Sequence, residues 1–262
     1  MPGGKRHALG QHFLRDTAIG RAVVDLVAPT AADLVVEIGP GQGALTGELA
    51  RRAGRVIALE VDRELIDGLR RRFPSVEVLE ADAREWDYGT LTRPPGGRVL
   101  VVGNLPYSVG KPILMALVSA RTAIDEMALM LQREVAERVA APPGSKVYGS
   151  LSVLTQLYTE PRLSIRVPPE AFKPPPKVDS AVLHLRVLAG PRVPVADEHR
   201  FHAVVRAAFG QRRKMLGNAL AAGLGVSLVA ARAAATRAGV DPSRRAETLS
   251  INDFAALTSH LE

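Results

Sequence analysis

The stretch LVVEIGPGQGALT, residues 34–46, carries the signal that decides the fold. An apolar run typical of a buried strand ends in glycines spaced G-x-G-x-G, at Gly39, Gly41 and Gly43, and a helical pattern follows. Glycines in such a turn let a ligand approach the backbone. The turn alone is weak evidence for a ligand, because a tight turn without one has the same composition and the dinucleotide fingerprint places its third glycine one residue later.

Strand-like and helix-like segments alternate from Leu34 to about Leu185. The predicted strands are LVVEIG (34–39), VIALEVD (56–62), VEVLEAD (76–82), RVLVVGN (98–104) and MALMLQ (127–132). Two later runs, LSIRV (163–167) and SAVLHLRV (180–187), have no helix between them and indicate an antiparallel end to the sheet. The pattern therefore predicts an α/β, Rossmann-like sheet that is mostly parallel with its last strand antiparallel.

Composition changes near AGPRVPVADE (189–198), where proline and glycine cluster. Everything after this segment has a helical pattern, at roughly 198–209, 211–222, 226–238 and 250–260. We therefore predict a catalytic domain at residues 1–190 and a small all-helical domain at residues 191–262. The helical domain holds ten Arg and Lys and six Asp and Glu residues, so 10 − 6 gives it a charge of +4.

The charge of the whole chain favours a polyanionic partner. The formal net charge is +7, which points first to nucleic acid and second to an anionic membrane surface, although a merely solvated basic surface has the same charge. The absence of cysteine excludes disulfides and thiolate chemistry, and the six histidines lack metal-ligand spacing. The first residues lack a signal-peptide apolar segment and no apolar run is long enough to span a membrane, so we expect a cytoplasmic protein without a metal.

Two acidic residues follow the glycine-rich turn at the ends of the next two predicted strands. Glu60 suits the two hydroxyls of a ribose, and Asp82 suits the amino group of an adenine. Together they predict an adenosine pocket at the carboxyl edge of the sheet. Either acid on its own is equally consistent with a helix cap.

The fourth predicted strand ends in Asn104-Leu105-Pro106-Tyr107, an arrangement suited to an exocyclic adenine amine. Such an amine is a poor nucleophile because its lone pair is delocalised into the ring. Hydrogen-bond acceptors on both N–H groups, here the Asn104 side chain and a carbonyl near Leu105, localise that lone pair. Pro106 stiffens the turn, and Tyr107 offers a face for a flipped base. Alone, the motif also fits a strand-to-loop turn in which Tyr107 fills core.

Taken together, these segments resemble the ribosomal RNA adenine N6,N6-dimethyltransferases, specifically the small-subunit (16S) branch. The matching blocks are LGQHFLRD (9–16), EIGPGQGALT (37–46), ALEVD (58–62), AD (81–82), GNLPY (103–107), LQREVAERVAA (131–141), YGSLSVLTQLY (148–158), FKPPPKVDSAVLHL (172–185) and AAFGQRRKMLGNAL (207–220). The resemblance implies S-adenosylmethionine (SAM) as methyl donor. It also implies dimethylation of two adjacent adenosines near the 3′ end of small-subunit rRNA, on the immature small subunit, and we expect a monomer.

The resemblance also implies roles for individual residues. In the N-terminal segment, His12 and Leu14 would contact the cofactor from a lid. The glycines, with Glu60, Asp82 and Asn104, would complete the cofactor site, and Phe172 would help to enclose the base. For rRNA, the predicted phosphate contacts are Lys111, Arg206, Arg212, Arg213 and Lys214. The last three lie on a predicted helix. By itself, a run of three basic residues is more typical of a solvated helix face.

Two departures and four alternatives accompany this interpretation. The family commonly continues NLPY with Asn and then Ser or Thr, where this chain has Ser108-Val109-Gly110-Lys111, and Gly217 stands where Arg is common. The alternatives are a large-subunit rRNA adenine dimethyltransferase that confers antibiotic resistance, a ribosome-assembly factor that acts mainly by binding, a DNA adenine methyltransferase and an NAD oxidoreductase. DNA adenine methyltransferases usually carry Pro where Leu105 stands, and the sequence has no identifiable hydride-transfer site for an NAD oxidoreductase.

Overall fold

The computed structural model describes residues 11–211 and 213–261, which divide into two compact units. The first contains residues up to Ala136 together with Glu160–Val187, and the second contains Glu137–Thr159 and the chain from Leu188 onward. The helical unit thus takes in residues 137–159 in addition to the segment that the composition marks as helical. Each unit has its own buried apolar residues.

A seven-stranded sheet forms the centre of the first unit, in the order β4-β3-β2-β5-β6-β9-β7. Its strands are β2 (Leu34–Ile38), β3 (Arg55–Glu60), β4 (Glu77–Glu80), β5 (Val99–Asn104), β6 (Glu126–Gln132), β7 (Thr159–Val167) and β9 (Ser180–Val187). The pairs from β4 to β6 are parallel, and β9 runs antiparallel to β6. The predicted fold class, a mostly parallel α/β sheet with an antiparallel strand near its end, is confirmed.

The apolar strand sequences follow from their position in this sheet. All five residues of β2 are buried, because helices cover the sheet faces and leave no solvent-facing side. Five helices belong to or begin in this unit: α1 (Thr17–Val27), α2 (Thr46–Arg52), α3 (Arg63–Arg72), α4 (Gly110–Ser119) and α5 (Arg133–Val139). The Asp16 carboxylate caps α1 by accepting from the backbone N–H groups of Ala18 and Ile19.

The strand order brings three predicted motifs to one edge. Ile38 at the end of β2 is in register with Leu59 of β3 on one side and with Gly103 of β5 on the other. The chain passes from β2 outward to β3 and β4 and then crosses back to β5, so β2 marks the point where the strand order reverses. Ligands of such sheets bind outside the carboxyl ends of the strands at this point.

A two-stranded sheet lies beside the main one. Its strands β1 (Phe13–Leu14) and β8 (Phe172–Lys173) are antiparallel, with Leu14 opposite Phe172. The backbone N–H of Arg15 extends the pairing by donating to the Ala171 carbonyl at 2.8 Å. The pairing ties the N-terminal segment to the proline-rich connection.

The second unit is helical. Its helices are α6 (Ser150–Gln156), α7 (Glu198–Gly210), α8 (Leu216–Leu224), α9 (Leu228–Arg237) and α10 (Ile251–His260), and it also holds the end of α5. Four of these correspond to the helices predicted after residue 190, but α8 begins at Leu216 rather than at residue 211. The N–H groups of Leu216 and Gly217 donate to the carbonyls of Arg244 and Pro242, so a distant turn satisfies the first helical donors.

Within the described residues, no helix has the length and apolar character needed to cross a membrane.

Candidate active site

A cavity of about 330 Å³ opens at the carboxyl edge of β2, β3 and β5. This volume is at the lower end of the range for small-molecule sites, which is about 300–1,000 Å³. Nine predicted site residues line it: His12, Gly39, Gly41, Glu60, Asp82, Asn104, Leu105, Pro106 and Tyr107. Sequence reasoning missed most of the remaining wall, which includes Gln11, Phe13, Arg84, Val109 and Ile113. The structure therefore brings the glycine turn, both acids and the Asn-Leu-Pro-Tyr motif to a single site.

The glycine turn adopts backbone angles that exclude most side chains. Gly39 and Gly41 have φ values of +63° and +56°, in the left-handed region. A Cβ atom on Gly41 would lie 2.9 Å from Cδ1 of Phe13. Gly41 is thus required by both its backbone angle and the close approach of the N-terminal segment.

Gly43 has a different part in the same turn. Its φ is +81°, and a Cβ there would lie 2.5 Å from the Phe73 ring. The cavity wall formed by the described residues does not include Gly43. The structure thus gives this glycine a packing role against the end of α3, and its predicted cofactor contact remains a prediction.

Glu60 presents a buried carboxylate at the end of β3. Its side-chain oxygens accept three hydrogen bonds from backbone N–H groups. Oε2 accepts from Gly41 at 3.1 Å, and Oε1 accepts from Val61 and Asp62 at 2.9 and 3.0 Å. Burial raises the pKa of Glu60, and these bonds offset part of the rise. Because a carboxylate has about four acceptor positions, one remains for a ligand hydroxyl.

Asp82 lies in the turn that follows β4 and lines the cavity. Its carboxylate is paired with the guanidinium of Arg84, and these hydrogen bonds lower the pKa of Asp82. The backbone N–H of Trp86 donates to the Asp82 carbonyl at 2.9 Å, and the Tyr88 hydroxyl donates to the Ala83 carbonyl at 2.7 Å. The loop that carries Asp82 is therefore held from both sides.

Glu37 is a buried acid that sequence reasoning did not single out. It lies in β2 under the glycine turn with 1% of its surface exposed. Burial raises its pKa to about 8, and the nearby Glu60 adds to the shift. Its only signal in the sequence is a charged residue inside an otherwise apolar strand, directly before the first glycine.

The Asn104 amide is oriented by the N-terminal segment. Its Nδ2 donates to the backbone carbonyl of His12 at 2.9 Å, so Oδ1 is the atom left to accept a bond from a ligand. The His12 ring is held in turn by a hydrogen bond of 2.8 Å between Nδ1 and the Pro174 carbonyl. Leu105 N donates to Met130 O at 3.0 Å, so this backbone N–H is not available to a ligand. The Leu105 side chain is buried, and Leu105 and Pro106 both line the cavity.

The Tyr107 ring lies on the same wall and has two neighbours. Its hydroxyl is 2.5 Å from the Oγ of Ser180, which is fully buried at the start of β9. Its ring centroid is 5.4 Å from that of His12, with the planes tilted by 34°. Burial raises the pKa of Tyr107, so the hydroxyl is neutral at physiological pH.

Two other residues assigned to the site are buried in the core, and their roles at the site remain predictions. Leu14 and Phe172 are 6% and 3% exposed and belong to the buried apolar cluster of the first unit. The cavity wall, as far as residues 11–211 and 213–261 form it, contains neither. They face each other in the β1–β8 pair, where they anchor the segment that carries His12.

The predicted rRNA contacts are distributed over both units. Lys111 is exposed in the first turn of α4, directly after the loop that lines the cavity. Arg206 is exposed on α7, beside a shallow groove. Arg213 and Lys214 were expected on a helix, but they lie in the exposed turn before α8, because that helix begins only at Leu216; Arg212 lies outside the described residues.

The Gly217 departure has a packing explanation. A Cβ atom at this position would lie 2.9 Å from Cγ of Arg232 and 3.5 Å from Cβ of Pro242. The helical unit therefore packs too closely here for a large side chain.

Comparison with known proteins gives consistent matches along the chain. A family model described as ribosomal RNA adenine dimethylase matches residues 4–262. The protein named ribosomal RNA small subunit methyltransferase A from Geobacter sulfurreducens is 46% identical over 267 residues, covering 98% of this chain and 95% of that protein.

Two solved structures match with nearly full coverage. A dimethyladenosine transferase from Plasmodium falciparum has a TM-score of 0.77 and 25% identity, covering 94% of this chain and 96% of that one. The 23S rRNA methyltransferase ErmE has a TM-score of 0.69 and 28% identity, covering 95% and 99%. The similarity thus extends over the sheet and the helical region alike.

Proposed function

This chain belongs to the ribosomal RNA adenine dimethylase family and is an rRNA methyltransferase, and from that premise we propose that it dimethylates N6 of two adjacent adenosines near the 3′ end of small-subunit rRNA. The observation that carries the proposal is the Asn104 amide. One N–H of its Nδ2 donates to the His12 carbonyl, which orients the amide and leaves its oxygen as an acceptor on the wall of a cavity that also holds two carboxylates.

SAM is the methyl donor that the family implies, and the cavity residues fit it. Glu60 has one acceptor position left for a ribose hydroxyl, Asp82 is an ionised acceptor suited to an adenine amino group, and the glycine turn places Gly39 and Gly41 on the cavity wall. His12 would cover the cofactor from the N-terminal side. Bound SAM supplies an electrophilic methyl group.

The protein's own residues would activate the acceptor amine. Asn104 Oδ1 and a backbone carbonyl near Leu105 accept hydrogen bonds from the two N–H groups, which localises the lone pair on nitrogen. Tyr107 stacks on the flipped base, a contact worth about 1–3 kcal/mol. After methylation the acidic amine proton leaves to water, and a monomethylated amine returns to the same acceptors with one N–H group left.

The helical region would contribute to rRNA binding. We assign catalysis to residues 1–190 and rRNA binding to residues 191–262, where Arg206, Arg213 and Lys214 are exposed; Arg212 is assigned with them from the sequence. In the first unit, we assign Lys111 to rRNA binding and Phe172 to enclosing the target base. The expected partner is the immature small subunit in the cytoplasm, and the expected form is a monomer.

The small-subunit assignment is favoured over a large-subunit substrate by the degree of similarity. The eight small-subunit relatives compared are 40–46% identical to this chain, whereas the 23S rRNA methyltransferase ErmE is 28% identical.

Mass spectrometry of both rRNAs, from cells with and without this protein, tests the substrate. We expect two neighbouring dimethyladenosines near the 3′ end of the small-subunit rRNA that disappear with the protein, and an unchanged large-subunit rRNA. A dimethyladenosine lost from the large-subunit rRNA instead would overturn the assignment.

The same cells separate catalysis from binding. An Asn104→Ala variant should leave the rRNA unmethylated. If that variant nevertheless restores normal growth and subunit assembly, the biological role is that of an assembly factor that acts by binding.

A further inference from the structure

Arg84 lies on the wall of the cavity, and the mechanism above assigns it no part. Oδ1 of Asp82 accepts hydrogen bonds from the backbone N–H of Arg84 at 2.9 Å and from its Nε at 3.0 Å. Oδ2 of Asp82 accepts from the same Nε at 3.0 Å and from Nη2. The pair is partly exposed, with 46% of the Arg84 side chain and 30% of the Asp82 side chain accessible.

These contacts place three N–H donors of Arg84 on the Asp82 carboxylate. The backbone N–H donates to Oδ1, Nη2 donates to Oδ2, and the single Nε–H is shared between the two oxygens. An ionised carboxylate has about four acceptor positions, two on each oxygen. Because the guanidinium donates to both oxygens, a ligand amino group that binds Asp82 competes with it for the same carboxylate.

We propose that Arg84 competes with the adenine amino group of the cofactor for Asp82, and so sets both the affinity and the base specificity of the site. The inference rests on the proposed function, because it takes Asp82 as the partner of adenine. The backbone bond from Arg84 N can persist when the guanidinium leaves, so the carboxylate stays oriented. Arg84 is then a specificity-determining residue rather than a catalytic one.

The competition has a consequence for other purines. A 6-oxo purine presents a carbonyl oxygen where adenine presents an amino group, and this oxygen meets an acceptor in Asp82 but a donor in Arg84. The intact pair therefore accommodates both bases to some degree. Without the guanidinium, Asp82 accepts from adenine freely and repels the 6-oxo base, so discrimination between the two should increase.

Calorimetric titration of the full chain with S-adenosylhomocysteine and S-inosylhomocysteine tests this competition. For Arg84→Met, we expect binding of S-adenosylhomocysteine to tighten about two- to fivefold, the range typical of partly exposed ion pairs. Binding of S-inosylhomocysteine should weaken, so that the ratio of the two dissociation constants changes in favour of adenine by more than either affinity alone.

Arg63→Met is the matched control. Arg63 also pairs with an acid at this side of the sheet, Nε to Glu80 Oε1 at 2.6 Å, but neither residue lines the cavity. The Arg63→Met variant should bind both ligands as the unchanged protein does. The thermal unfolding midpoints of Arg63→Met and Arg84→Met should both equal that of the unchanged protein.

The outcomes separate the inference from the function on which it rests. Weaker binding of S-adenosylhomocysteine to Arg84→Met would mean that the guanidinium binds the cofactor. An unchanged ratio of the two dissociation constants would mean that the guanidinium does not compete with the base for Asp82. Either result overturns the inference alone. If the unchanged protein binds neither ligand, the proposed cofactor site itself is wrong, and the inference falls with it.

Discussion

The two walls of the cavity are built in different ways. The cofactor wall, made of Gly39, Gly41, Glu60 and Asp82, is held by contacts between neighbouring strands, such as the Gly41–Glu60 bond across 19 residues. The acceptor wall, made of His12, Asn104 and Tyr107, is held by bonds across 92 and 73 residues, the second of which joins Tyr107 to Ser180. The first wall is a property of the sheet, whereas the second exists only when three distant segments meet.

This difference predicts that the two walls can be disabled separately. A change in the acceptor wall should impair turnover far more than cofactor binding, and a change in the cofactor wall should spare turnover at saturating SAM. Three of the four predictions below test that separation, and the fourth concerns the acid beneath the cofactor wall.

The largest effect is expected for Asn104→Ala. Removal of a positioned acceptor that stabilises a transition state costs several kcal/mol, so single-turnover methylation should fall by at least ~100-fold. Binding of S-adenosylhomocysteine, measured by calorimetry, should weaken by no more than about tenfold, because Asn104 is only one of several predicted cofactor contacts and a hydrogen bond contributes about 0.5–1.5 kcal/mol. Near-normal turnover would remove Asn104 from the mechanism, and lost cofactor binding would show that the walls are coupled.

Beneath the cofactor wall, Glu37 should make stability depend on pH. Its pKa is about 8 in the folded protein and about 4.3 in an unfolded chain. The folded state therefore keeps a proton that the unfolded state has lost, and the free energy of unfolding decreases as pH rises through this interval. Between pH 6.0 and 7.5 the decrease amounts to about 2 kcal/mol.

Glu37→Gln provides the comparison, because glutamine has nearly the shape of the protonated side chain and does not titrate. Urea unfolding at several pH values should show a flatter pH dependence for the variant over that interval, by about 2 kcal/mol. Parallel curves for the two proteins would mean that Glu37 does not carry the shift.

The contrast between the walls also explains how far sequence reasoning reached. The meeting of Gly39, Gly41, Glu60 and Asp82 at one edge is predictable from the sequence, because each acid lies at or just beyond the end of a strand and parallel strands end at one edge. The Asn104 motif was recognised, but the carbonyl of His12 that orients its amide and the hydroxyl of Ser180 that fixes Tyr107 were not. Neither contact has a local signal, since each depends on how the chain returns to the sheet.

The errors have equally specific physical causes. The helix expected from residue 211 begins at Leu216, because the carbonyls of Pro242 and Arg244 receive its first N–H groups. Periodicity within 211–222 does not reveal that distant turn. Arg84 was overlooked for a related reason, because an arginine two residues after an acid has no special pattern until the loop folds back on itself.

Gly41→Ala should weaken the cofactor wall by an intermediate amount. A left-handed φ costs a residue with a Cβ about 1–2 kcal/mol, and this Cβ would also displace Phe13. We expect about tenfold weaker binding of S-adenosylhomocysteine by calorimetry, with turnover at saturating SAM within about twofold.

Gly43→Ala is the matched control in the same turn, because its Cβ would meet Phe73 rather than the cavity. It should lower the free energy of unfolding and leave cofactor affinity nearly unchanged. Equal losses of affinity in the two variants would assign the effect to the turn as a whole and not to the wall.

The smallest effect is expected for Ser180→Ala, which removes the hydrogen-bond partner of Tyr107 while leaving the ring in place. A hydrogen bond of this kind contributes about 1 kcal/mol, so methylation efficiency should fall about fivefold. Because Ser180 positions the ring that would stack on the base, the loss should appear in the KM for rRNA, with cofactor affinity unchanged. Ser180→Thr keeps the hydroxyl and should restore most of the efficiency. If the threonine variant is as impaired as the alanine variant, packing at the start of β9 accounts for the effect, and the bond to Tyr107 does not. Ser180 would then have no part in holding the acceptor wall.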